Sequence, residues 1–128
     1  MRLLMVLDCT DADKLADFWS AALGFRRGAF HPPYVRLVDR RGHWPDLLLQ
    51  QVPEPKRGKN RMHLDIQVTH LQPELARLTD LGARVVVPTH DDAGFLTTIL
   101  ADPQGNEFCV IVPPADGYDR AHLTGGEG

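Results

Sequence analysis

The chain is poor in the features that mark several large classes of protein. It holds 2 cysteines in 128 residues, too few for a disulfide framework, so Cys9 and Cys109 read as reduced thiols. Basic charge is not in excess: 14 Lys and Arg stand against 17 Asp and Glu, a net charge of -3. That removes the electrostatic case for a nucleic-acid partner or an anionic membrane surface. Long apolar runs are missing too. No segment reaches the length of a transmembrane helix, and the apolar start Leu3–Leu7 is too short for a signal-peptide core and runs into Asp8. A cytoplasmic setting is expected. There is no Gly-rich phosphate loop, nucleophile elbow or Cys-x-x-Cys pair.

What is present is ordinary globular material, 43% apolar and 24% charged, enough for one compact domain with a sizeable core. Leu3–Cys9 reads as a buried strand. Thr10 or Asp11 can cap a helix whose Leu15, Phe18, Trp19, Ala22 and Leu23 fall on one stripe, with Gly24 as its stop. Strand-like pieces follow at 25–30, 34–39 and 47–52, separated by His31-Pro32-Pro33 and by the turn-rich 41–46. Residues 53–60, rich in proline, glycine and charge, read as a linker.

The pattern then returns. Arg61–Val68 alternates strictly, Met62, Leu64, Ile66 and Val68 on one face and His63, Asp65 and Gln67 on the other, which is a strand with one buried face. Thr69 with Gln72 forms a capping box ahead of a helix striped by Leu71, Leu75, Leu78 and Leu81 and stopped by Gly82. Strand-like 84–87, 95–101 and 107–112 complete it, with a turn at Asp102–Asn106. The order is βαβββ twice, and a shift of about 60 residues lays Leu15 on Leu75 and Leu23-Gly24 near Leu81-Gly82, as an internal duplication would. The expected fold is α+β: two βαβββ modules forming a cupped mixed sheet with helices on the convex side. Module one is expected over about 1–52, the linker at 53–60, module two over 61–113, and a loosely ordered tail over 114–128.

Alternation gives the candidate site. His63 and Asp65 point to the concave side, His63 as a base or hydrogen-bonding group near neutral pH. Asp8 and Glu107 share that parity, and three carboxylates near one histidine could recognise a cationic amine. Cys109 on the cup floor is read as packing rather than as a nucleophile. Trp44, in a loop feeding the cup, could stack on a planar ligand or pack over the sheet edge. Lys56, Arg57, Lys59 and Arg61 make a short basic run, mostly solvated linker, of which Arg61 enters the strand on the face of His63.

Taken together, Val6-Leu7-Asp8-Cys9, Ala16-Asp17-Phe18-Trp19, Leu23-Gly24-Phe25, Lys59–Asp65 and Asp102–Cys109 resemble the vicinal oxygen chelate superfamily of glyoxalase I, extradiol dioxygenases and bleomycin-resistance proteins. The resemblance implies the glyoxalase/bleomycin-resistance/dioxygenase fold and a divalent metal held by four side chains, one from the first and one from the last strand of each half. Those positions fall on Leu4, Gln50 (or Gln51), His63 and Cys109, the last in place of the usual glutamate. Leucine cannot ligate and glutamine is a weak ligand, so no resident metal is expected; a metal, if held, would sit on His63 with Glu107 or Cys109. The resemblance further implies a homodimer. The functional expectation is a small-molecule-binding protein, with the ligand against His63, Asp65, Gln50 and Trp44, sequestering a toxic or antibiotic-like compound. The alternative is a lyase, isomerase or dioxygenase-like enzyme using His63 with Asp65.

Overall fold

The structure, a computed structural model, describes residues 2–114; the expected tail otherwise lies outside the described residues. The first module begins with β1 (Leu4–Cys9) and turns into α1 (Ala12–Leu23). Asp11, not Thr10, is the N-cap: its side chain accepts from the Lys14 N–H at 3.0 Å. Gly24, at φ 70°, ends the helix in the left-handed conformation that glycine adopts without Cβ strain. β2 (Phe25–Arg27), β3 (Tyr34–Asp39) and β4 (Asp46–Gln51) follow. The expected 25–30 strand is cut to three residues: its register with β3 ends at Arg27↔Leu37, followed by a last bond from the Gly28 N–H to the Arg36 carbonyl.

The second module repeats the plan with β5 (Asp65–Gln67), α2 (Leu71–Leu81), β6 (Arg84–Asp92), β7 (Phe95–Ala101) and β8 (Glu107–Val112). Each module makes one four-stranded mixed sheet, ordered β1-β4-β3-β2 and β5-β8-β7-β6. In both, the first strand lies parallel to the last and the other pairs are antiparallel. The duplicated order read from the pattern is therefore the order of the fold.

Three expectations in the second module are corrected, the first being β6, which runs on past the expected end at Val87 to Asp92. The strand over 61–68 is far shorter: ladder bonds reach only from the Leu64 carbonyl to the Val68 N–H, and Met62 is 90% exposed rather than packed. The Thr69–Gln72 capping box does not form. His70 is the N-cap and makes no side-chain cap bond.

The core runs under both sheets. Leu15, Phe18, Trp19 and Ala22 on α1 share one core with Val35, Leu37, Leu47 and Leu49 of the first sheet, Leu78 of α2, and Leu100, Phe108 and Val110 of the second sheet. Trp19 meets Phe108 edge-on at 5.0 Å between ring centroids, and Phe18 meets Trp19 at 5.1 Å, geometries that ring quadrupoles favour.

The Asp102–Asn106 turn fastens the modules together. Buried Asp102 accepts from the Trp19 indole Nε1 at 2.9 Å and from the backbone N–H groups of Gln104 and Asn106. Gln104 Oε1 accepts from the Thr10 and Asp11 N–H groups ahead of α1. On the other side, Arg77 of α2 donates to the carbonyls of Ala21 and Ala22 at the end of α1. With the helix face of each sheet committed to this core, the opposite faces are left for a site.

Candidate functional site

Strand alternation fixes which side chains reach those opposite faces. On the first sheet, the pairings Val6↔Leu48, Asp8↔Gln50 and Tyr34↔Gln50 align Leu4, Val6, Asp8, Tyr34, Arg36 and Gln50. On the second, Asp65↔Cys109, Gln67↔Ile111, Ile99↔Cys109 and His90↔Thr97 align the polar face of β5 with the middle of β7 and β8. That second face forms the wall of a cavity of about 490 Å³. His63, Asp65, Gln67, His90, Asp92, Thr97, Glu107 and Cys109 give it polar groups, over apolar Phe95, Ile99, Phe108 and Ile111.

On its wall, His63 Nδ1 lies 2.9 Å from Asp65 Oδ1, both side chains partly exposed. An Asp65 carboxylate oxygen also lies within 4.8 Å of the Cys109 thiol. Burial, followed by the Asp65 charge, pushes the Cys109 thiol up to about 11, so the metal-free site holds a protonated thiol. Glu107 closes one end. The Lys56 ammonium donates to it at 3.0 Å and, with the Asn60 N–H, holds its carboxyl below the ordinary range.

The structure thus brings together four expected site residues, His63, Asp65, Glu107 and Cys109, on one cavity. The others stand elsewhere. Asp8 lines a separate cavity of about 480 Å³ with Thr10, Lys56, Arg57 and Gln104. Gln50 is its cross-strand neighbour on β4 and lines neither cavity. Trp44 is 68% exposed in the β3–β4 loop, its backbone N–H donating to the Asp39 carboxylate. Arg61 is exposed in the coil ahead of β5. Lys59 is the residue of the basic run that reaches the His63 cavity.

Gln67, His90, Asp92, Phe95 and Thr97 were not among the expected ligand contacts. His90 and Asp92 escape notice when β6 is ended at Val87, before Pro88. The signal was the Ala93-Gly94 pair, both at positive φ, a two-residue hairpin turn. Counting back from it in register with β7 places His90 opposite Thr97 and Asp92 opposite Phe95.

A model of the glyoxalase-like domain matches residues 4–111. The chain belongs to the glyoxalase-like domain family. Solved structures of the glyoxalase/bleomycin resistance protein/dioxygenase superfamily share its fold. An enzyme of that family from Burkholderia phytofirmans PsJN superposes with a TM-score of 0.72 at 13% identity, over 85% of this chain and 95% of the other. A protein described as a glyoxalase/bleomycin resistance protein/dioxygenase from Nocardioides gives 0.71 at 16%, over 91% and 85%. TioX from Micromonospora sp. ML1 gives 0.61 at 19%, over 88% and 98%. No curated protein matches the chain.

In this glyoxalase-like chain the superfamily's four-ligand metal set does not fit. Leu4 carries no donor atom, and neither Leu4 nor Gln50 lines the cavity of His63 and Cys109. Among the described residues no helix is long and apolar enough to cross a membrane.

Proposed function

We propose that this glyoxalase-like protein binds a small polar molecule in the second-module cavity, without the superfamily's standard metal-ligand set. The observation that supports this reading is the His63–Asp65 contact at 2.9 Å inside an open space of about 490 Å³. Convergent polar groups over an apolar floor are the usual make-up of a ligand site. Asp65 and Asp92 give the cavity a negative character that suits a ligand bearing an amine, and Phe95 and Ile99 suit an apolar or planar body. Sequestration of a toxic or antibiotic-like compound is one use of such a site. The same reading includes a cytoplasmic setting with both thiols reduced, and a homodimer.

Saturation-transfer NMR with a library of small polar fragments tests it. Fragments carrying an amine should bind the wild-type chain and weaken at least about tenfold in the His63→Ala/Asp65→Asn double variant, as loss of a charged hydrogen-bonding partner implies. Equal binding by the two proteins would remove the proposal.

A second reading rests on the same contact. His63 Nδ1 lies 2.9 Å from Asp65 Oδ1, and a ring proton held on Nδ1 towards that carboxylate would leave Nε2 as the basic nitrogen, the arrangement a general base needs. A lyase or isomerase acting on a ligand with an acidic C–H would use it. Turnover that survives His63→Gln would exclude this second reading.

A further inference from the structure

We infer, building on the amine-binding reading of the second-module cavity, that its ligand is an elongated dication, an α,ω-diamine whose two ammonium ends are held at opposite edges of the sheet by two His-x-Asp pairs. The strand order β5-β8-β7-β6 puts β5 and β6 at those edges. His63-Leu64-Asp65 leads into β5 and His90-Asp91-Asp92 ends β6, and His63, Asp65, His90 and Asp92 all line the one cavity. Alkyl amines, like the lysine side chain, are protonated at neutral pH and need acceptors. Each edge offers a carboxylate and an imidazole. Asp92 has no hydrogen-bond or ion-pair partner among the described residues. His90 Nδ1 lies 2.8 Å from the Pro88 carbonyl, which can only accept, so Nδ1 carries the proton and Nε2 is left as an acceptor.

Between the two edges the floor suits a methylene chain. Ile99 and Ile111 line it, and the Thr97 hydroxyl is spent on the Phe95 carbonyl. The third carboxylate of the cavity, Glu107, is already matched, by the Lys56 ammonium at 3.0 Å and by the Lys59 charge beside it. Asp65 and Asp92 are left to meet two positive ends. Both are felt at the Cys109 thiol on β8, which burial raises first and the Asp65 and Asp92 charges raise further, so the two carboxylates look into one space. Three strand spacings of about 4.8 Å separate β5 from β6, which sets the ligand's two nitrogens on the order of 10 Å apart.

Calorimetric titration of the full chain with hexamethylenediamine, hexylamine and trimethylenediamine provides the test. Hexamethylenediamine should bind at least about tenfold tighter than hexylamine, the worth of a second charged hydrogen-bonded end and more than the roughly twofold that two equivalent amines give statistically. Trimethylenediamine, too short to span the floor, should lose that advantage. Asp92→Asn keeps the shape of the side chain and should bring hexamethylenediamine down to the level of hexylamine, while hexylamine, held at Asp65, stays nearly unchanged. Asp91→Asn is the control. It removes the same charge from the neighbouring residue, whose side chain accepts from the Gly94 N–H and does not line the cavity, and it should leave the diamine advantage intact. Equal binding of hexamethylenediamine and hexylamine, an advantage shared by trimethylenediamine, or one that survives Asp92→Asn or falls equally with Asp91→Asn would each overturn the two-ended site and leave the amine-binding reading standing. Binding of none of the three amines would overturn both.

Discussion

At the scale of single residues, the polar face of β5 carries the chemistry and its neighbours set its state. Strict alternation made His63 and Asp65 legible as a pair on one face. Their partners were harder to place, since Cys109 and Glu107 lie over forty positions away and meet them only through strand pairing. Glu107 offers a direct check on the local electrostatics. Its carboxyl is held below 4.5 by the Lys56 ammonium, so the contribution of the pair to stability is complete above that value. It is lost as the pH falls through the lower folded-state value. Glu107→Gln should therefore cost about 0.5–1 kcal/mol at pH 7, the range of a partly exposed pair. The difference from wild type should close as the pH drops below 4.5. Urea midpoints across pH measure it.

Among the elements, helices and strands with a single clean period were legible, and those without one were not. The α1 stripe and its Gly24 stop are written in adjacent residues, as is β7. β5 misled because Met62 continues the alternation after the backbone has left the sheet; a period of two describes a strand only where a partner is present. The joint between modules had no local signature at all. Asp102 and Trp19 are 83 positions apart, and the turn at Asp102–Asn106 looked like a connection only. Its structural weight can be measured. Asp102→Ala leaves the Trp19 indole N–H and two backbone N–H groups without their acceptor, and should cost about 2–4 kcal/mol, against about 1 kcal/mol for Gln104→Ala, which removes the acceptor of the Thr10 and Asp11 N–H groups ahead of α1. Denaturant midpoints of the two variants should rank in that order.

On the scale of the whole molecule, the two sheets present unlike faces. The first exposes Leu4, Val6 and Tyr34 beside the Arg2–Asp46–Arg36 ion-pair group, and the second carries the polar cavity. Apolar residues left open on a sheet face are what a homodimer would cover. Light scattering should give about twice the chain mass, and Val6→Glu should shift the protein towards monomer without lowering its helix content. A monomeric wild type would count against the pairing. Dimerisation would not change which sheet holds His63, and that placement is the claim on which the function rests. Residue-resolved NMR of the labelled protein with amine-bearing fragments tests it most directly. Shifts should concentrate on Asp65, Gln67, Thr97 and Cys109 and fade in His63→Ala/Asp65→Asn. Shifts centred instead on Asp8, Thr10 and Gln104, at the other cavity, would contradict it.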